Sequence, residues 1–334
     1  MIPEIVLAGQ LRREYIITED GRTLVDVPGG GLLYAAVGAR LWTERVSLLA
    51  RVGEDYPRQW MRTFEQRGLD LQGVRILPET LDLRAFYAYT GAGELQRSSP
   101  VSHFVRLGLP FPKSLLGYQP PEEKQDSRVN ARPDSPRPAD IPEIYFSAKA
   151  IHLGPLDYLT HSLLAPAFRQ YSEPIITIDP AAGYMNSNFL EQVRAMLQGV
   201  SAFLPSEEEI RLLYWGVTTD LWEMCADLTQ SGCEIIVVKR SSLGQYVYDA
   251  NGRHRWEIPA YPARFVDATG AGDAFCGGFI AGFMQTFDPL RAALQGNASA
   301  SLTVEGSGAF YALDALPGLA QARLQSIASL VRKV

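Results

Sequence analysis

At 334 residues, 46% hydrophobic and 20% charged, the chain has an ordinary globular composition, with length for one large α/β domain or a domain with a small appendage. A net charge of −6 with no block of Lys or Arg argues against a nucleic-acid or anionic-membrane surface. No apolar run reaches the ~18 residues of a membrane span, Met1-Ile2-Pro3-Glu4 does not open a signal peptide, and Cys225, Cys233 and Cys276 have no metal or disulfide spacing, so a cytoplasmic protein with reduced thiols is expected.

Residues 5–9 are a short apolar run ended by Gly, and read as a buried first strand. Residues 15–18 and 23–27 flank Asp20-Gly21, the signal of a hairpin. Gly29-Gly30-Gly31 opens a small-residue helix over 32–42, followed by a strand at 46–52 and a helix at 56–67. Residues 83–90 alternate as a further strand of a solvent-facing sheet, with the whole stretch to 105 read as strands. Residues 110–142 carry many prolines and charges and read as a long excursion, mobile or extended, including Pro120-Pro121-Glu122-Glu123-Lys124. Alternation then resumes: strands at 149–153, 174–179, 200–204, 234–239 and 245–248, with helices at 156–170, 186–198, 207–214 and 219–230. Helices at 272–285, 289–304 and 319–331 close the chain. Strands separated by helices imply a mostly parallel sheet with helices on both faces. The early hairpin and the 83–105 region fall outside that sheet and suggest a small separate one.

The segment Asp267-Ala268-Thr269-Gly270-Ala271-Gly272-Asp273 joins a loop to a helix. Gly270 and Gly272 permit tight turns, and the helix start points free N–H groups back at the loop, which suits a phosphate. A carboxylate there can accept a proton from an attacking hydroxyl, although an Asp capping a helix after a Gly turn would read the same way. A dinucleotide fingerprint fails because Phe275 stands where Gly is needed, and there is no Gly-Lys dipeptide for a Walker A loop.

The stretch Asp267 to Phe275 resembles the C-terminal signature of the PfkB, or ribokinase-like, carbohydrate kinases, Asp-x-Thr-Gly-Ala-Gly-Asp-x-Phe. Pro28-Gly29-Gly30 with Ala35, Ala36 and Gly38, the run Val52-Gly53-Glu54-Asp55, and Asn297-Ala298-Ser299 are similar to other family segments. The resemblance spans about residues 4–310 and is weakest in 106–145. It implies a single ribokinase-like domain over 1–334: a three-layer α/β/α sandwich with a β-sheet lid from about 10–28 and 80–105. It implies an ATP- and Mg²⁺-dependent kinase of a small sugar-like acceptor, with Asp273 as base and Gly270, Ala271 and Gly272 as anion hole. On the same ground, Glu14, Gly29, Gly30, Tyr34 and Arg84 are expected on the acceptor, and Ser206, Lys239, Gly244 and Asn297 on ATP. Glu209 is expected near Mg²⁺ through water, and Asp267 and Thr269 near a monovalent cation such as K⁺.

The acceptor end departs from the sugar kinases, since Glu14 and Tyr34 stand where Asp and Asn are usual, and Ser206 stands for the family's Asn before Glu209. Arg12, Arg13 and Arg84 add positive charge near the expected mouth, compatible with an anionic acceptor or with plain surface arginines. A nucleoside kinase and a non-catalytic ligand-binding regulator are the rival readings, and a homodimer through the lid is a candidate assembly.

Overall fold

The computed structural model describes residues 3–91, 94–120 and 124–334. In chain order the first half contains β1 (Ile5–Ala8), β2 (Arg12–Ile17), β3 (Thr23–Gly29), α1 (Gly31–Arg40), β4 (Val46–Val52), α2 (Arg58–Gln66), β5 (Leu69–Ile76), β6 (Arg84–Thr90), β7 (Glu94–Gln96) and α3 (Pro100–Arg106). The second half contains β8 (Ala150–Leu153), α4 (Tyr158–Arg169), β9 (Ile175–Ile178), α5 (Leu190–Met196), β10 (Ala202–Phe203), α6 (Glu207–Leu213), α7 (Leu221–Gln230), β11 (Ile235–Lys239), β12 (Gln245–Asp249), β13 (His254–Ile258), α8 (Ala271–Thr286), α9 (Pro289–Thr303), α10 (Leu319–Ala328) and β14 (Arg332–Lys333).

Ten strands form one sheet in the order β14-β13-β12-β11-β10-β9-β8-β1-β4-β5. Its strands from β5 to β11 pair in parallel, and β12, β13 and β14 add antiparallel at one edge. Side chains alternate across a strand, and both faces are apolar here. Val6, Ala8, Ile151, Leu153, Ile176, Ile178, Ile236 and Val238 pack with residues of α4 to α7 such as Leu164, Val193, Ile210 and Met224. Ile5, Leu7 and Ala150 pack with α1 and α8, while Ala202, Leu204, Ile235 and Val237 pack with α8, α9 and α10. The result is the expected three-layer sandwich. Helix α8 sits close to α1: a Cβ on Gly277 would strike the Ala35 carbonyl, and one on Gly38 the Ala274 carbonyl. That contact brings the beginnings of α1 and α8 together at the carboxyl ends of the central strands, where ligands bind in open α/β sheets.

The second sheet has the order β3-β2-β6-β7. β2 and β3 form the hairpin expected around Asp20-Gly21, β2 and β6 run parallel, and β6 and β7 antiparallel. Asp26, at φ 53°, lies in the bulge where the β2–β3 register shifts. On one face Glu14 and Ile16 pair with Ala85 and Tyr87. On the other, Tyr15, Ile17, Phe86 and Ala88 are covered by Phe104, Phe111, Leu115 and Tyr118.

The structure differs from expectation in three places. Residues 100–106 are helical, because Pro100 occupies the first turn of α3, where its missing N–H costs nothing. β5, β13 and the two-residue β14 were not anticipated; in Leu69–Ile76 polar residues interrupt the apolar ones. Finally, most of the 110–142 excursion is anchored. Arg84 donates to the carbonyls of Ser114 and Leu116, Asp126 accepts from the Tyr158 amide, Asp140 pairs with Arg51, and Leu115 and Tyr118 are buried. Residues 121–123 of the proline–glutamate run lie outside the described residues.

Candidate active site

Gly270 turns the chain into α8 at φ 73°, a conformation glycine adopts without strain, and a Cβ there would run into the Tyr34 ring. Ala271 donates its amide to the Ala268 carbonyl (3.1 Å) and Ala274 to the Gly270 carbonyl (2.8 Å), so among the described residues the amides of Gly270 and Gly272 are donors the turn leaves without a backbone partner. Asp273 sits in the first turn, half-buried. Gly31, the first residue of α1, faces it so closely that any side chain would collide with Asp273 Oδ1. Burial pushes the Asp273 carboxyl up to about 6, against the pull of Lys239 and a backbone N–H and with Glu209 adding repulsion.

Lys239 ends β11 and points at the same turn: its Nζ lies 3.8 Å from where a Cβ on Gly272 would be. It is held there by Asp179, just beyond β9, with Nζ 2.6 Å from Asp179 Oδ2. Cys276, one helical turn past Asp273, completes a buried cluster, its Sγ donating to Asp179 (3.3 Å) and accepting from Lys239 (3.5 Å). Burial raises Asp179 to about 6, opposed by Lys239, and holds the Cys276 thiol well above its ordinary value, hence protonated. Burial disfavours the Lys239 ammonium, but Asp179, Cys276 and Glu209 together outweigh that penalty and raise its value. It therefore stays charged.

The acceptor-side residues converge from the other direction. Glu14 is 1% exposed; it accepts from the Gly30 amide (2.7 Å) and from the Tyr34 hydroxyl (2.8 Å). Burial pushes its carboxyl up to about 7 against those two bonds. A Cβ on Gly29 would strike the same carboxylate. Tyr87 lies on Glu14's face of the sheet and feels the charges of Glu14, Arg12, Arg97 and Asp273. Arg84 is not brought to this cleft. It sits on the opposite face with Arg13, forked onto Asp82 at 2.7 and 2.8 Å and stacked over Tyr118.

Toward the expected nucleotide, Ser206 caps α6 and donates amide and hydroxyl to Glu209 Oε2, both at 2.7 Å. Desolvation raises Glu209, with Asp179 adding to it and Lys239 opposing. Gly244 closes the turn after β11, where Arg240 N donates to its carbonyl (2.8 Å); at φ 90° a side chain would hit the Ile258 carbonyl. Asn297 uses its whole amide within the protein, bridging Gln245, the Pro259 carbonyl and the Tyr261 amide. It braces the 259–261 segment. Asp267 accepts from Thr269 N (2.8 Å) and Ser307 Oγ (2.5 Å), and the Thr269 hydroxyl meets Tyr89 OH (2.9 Å). The Tyr89 bond ties the small sheet to the turn before α8.

Asp179 and Tyr89 were not singled out for the site from sequence. Asp179 had a signal: an acid directly after a buried apolar strand and before Pro180, at the carboxyl edge of the sheet. Tyr89 had none, since its partner lies 180 residues away.

The family model described as pfkB family carbohydrate kinase matches residues 159–316. Cytidine kinase of Thermococcus kodakarensis is 28% identical over 84% of this chain and 88% of that protein. Among solved structures, the fructokinase of Xylella fastidiosa with bound ATP superposes with TM-score 0.70 at 17% identity, covering 97% of this chain and 99% of the other. The Arabidopsis thaliana ribokinase complexed with ribose and ATP gives 0.69 at 18%, with the same coverage. No helix among the described residues is long and apolar enough to cross a membrane.

Proposed function

We propose that the chain is a pfkB-family carbohydrate kinase, a reading supported by the family match over residues 159–316 and by the likeness to a cytidine kinase, and that it transfers the γ-phosphoryl group of ATP to a hydroxyl of a small sugar-like acceptor, with Asp273 as the base. The observation that carries this reading is the pairing of a half-buried carboxylate, raised to about 6, with a charged lysine at one helix start. A base must be unprotonated at neutral pH yet basic enough to take a proton, and about 6 suits both demands. Lys239 and the free N–H groups at the start of α8 face the charge that develops on the transferring phosphoryl. Gly31 leaves room for the acceptor hydroxyl to approach Asp273. On the acceptor side, Glu14 and the backbone of Gly29 and Gly30 are read as hydroxyl-binding. Tyr34 and Tyr87 supply aromatic walls. The small sheet acts as a lid that excludes water, which suppresses ATP hydrolysis.

ATP is read along Ser206, Lys239 and the turn at Gly244, with Asn297 shaping the wall of its pocket. Among the described residues no three His, Cys, Asp or Glu side chains could hold a metal ion. The donor set therefore fits a Mg²⁺ that arrives on the nucleotide, with Glu209 reaching it through water. When bound, such an ion neutralises phosphate charge. Asp267 and Thr269 are already satisfied by hydrogen bonds, so exchanging K⁺ for Na⁺ in a steady-state assay is expected to leave kcat unchanged; a collapse in Na⁺ would place a cation at that loop after all.

A nucleoside acceptor is the second reading, favoured by Tyr87 on the cleft face and by the likeness to a cytidine kinase. The lid's outer face is covered by the chain's own residues, so we read the lid as serving one chain rather than a dimer. A screen of sugars, polyols and nucleosides for acceptor-dependent ADP formation tests the proposal. ADP release that no acceptor stimulates would sink it.

A further inference from the structure

Strand β2 turns one cation, Arg12, to the acceptor face of the lid, and the chain itself supplies its counter-charge. Side chains alternate along β2, so Arg12 shares the face of Glu14, whereas Arg13 and Arg84 project from the other. Arg13 is spent there on Asp26 (2.8 Å), and Arg84 on Asp82. Arg12 meets Asp134 Oδ2 at 3.0 Å, and Gln10 donates to the same oxygen at 2.9 Å while accepting from Arg12 at 2.5 Å. Both members of the pair are largely buried, with side-chain exposures of 14% for Arg12 and 12% for Asp134. Arg132 approaches Asp134 (3.8 Å) from the solvent side, and exposed Arg97 is a more distant cation near Tyr87. Of the other charged groups turned to the cleft, Glu14 and Asp273 are acids, and Lys239 is already paired with Asp179.

Asp134 comes from the proline-rich excursion, 124 residues from Gln10 in sequence. A chain that needed only to cover the strand end had no reason to place a carboxylate against the arginine that β2 turns to the acceptor face. We propose that Asp134 is a specificity-determining residue: by neutralising Arg12 it makes the acceptor site select uncharged sugars or nucleosides over sugar acids and sugar phosphates. This rests on the kinase reading above. Specificity is a difference of affinities, and an anionic acceptor here meets two carboxylates while the Arg12 guanidinium is already committed to Asp134.

The test compares kcat/KM for fructose, ribose and cytidine with kcat/KM for gluconate and glucose 6-phosphate. Wild-type protein is expected to favour its best uncharged acceptor over either anion by a factor on the order of 100. Asp134→Asn keeps the shape and the hydrogen bonds but frees the Arg12 charge, and should raise the anionic-to-uncharged ratio about tenfold. Adding Arg12→Gln to that variant should return the ratio to its wild-type value. Should Asp134→Asn fold poorly, Asp134→Ser carries the same expectation. A wild-type enzyme that prefers an anionic acceptor, or a ratio unmoved by loss of Asp134, overturns this inference and leaves the kinase reading standing. If neither class is phosphorylated by any variant, the kinase reading fails and this one with it.

Discussion

Asp273→Asn is expected to lower kcat roughly a thousandfold, the range of a lost general base, while ATP still binds. The amide keeps the volume of the carboxylate, so the contact with Gly31 and the start of α8 survives. It cannot take the proton of the acceptor hydroxyl. The carboxylate is itself disfavoured by burial, as its raised value shows, so the neutral amide should fold at least as stably. A melting temperature at or above wild type, with kcat lost and ATP affinity kept by calorimetry, would assign the defect to chemistry. A kcat within threefold of wild type would remove Asp273 from the base role.

Lys239→Met is expected to cost both folding and catalysis. The lysine and Asp179 form a largely buried pair, and removing one partner of such a pair costs about 3 kcal/mol or more. The loss should depend on pH in a definite direction. Asp179 is already raised to about 6 by burial with Lys239 opposing, and without the lysine it rises further. A carboxyl whose folded value is raised binds protons more tightly in the folded state, so it destabilises increasingly as pH climbs above the unfolded value. The stability deficit of the variant, read by urea unfolding, should therefore be small near pH 5 and larger at pH 8. A deficit that shrank as pH rose would contradict the pairing. In assays at pH 7, kcat should fall with it, because Lys239 also faces the turn at Gly272 beside Asp273.

The parallel sheet was legible in the sequence wherever short apolar runs alternated with helical stretches. The strand at 46–52 lies where the pattern placed it, because strands buried on both faces leave a mostly apolar run, broken here only by Ser47 and Arg51. The turn Gly270 to Asp273 was legible for a different reason: Gly270 answers a local backbone demand, a positive φ, although the Tyr34 ring that also excludes a side chain there comes from far away in the chain. Asp134 was not legible. Its role depends on a loop returning across 124 residues to Gln10, and no periodicity encodes that. The same reason hid the order within the excursion: prolines and charges resemble a solvated segment, while Leu115, Tyr118, Ile141 and Tyr145, which hold it down, are too sparse to form a pattern. Arg84 looked like an acceptor ligand because charge can be read from sequence, whereas the face of the strand relative to its neighbours cannot.

The most direct test of Asp273 as base is the pH dependence of kcat at saturating acceptor. A carboxylate base works only when unprotonated, so the rate should be full above and fall tenfold per unit below about 6. Glu14, at about 7 in the free protein, should show in acceptor KM instead. The wild-type acid limb near pH 6 is expected to vanish in Asp273→Asn, leaving a low rate flat with pH; a limb that persists unchanged in that variant would contradict the assignment.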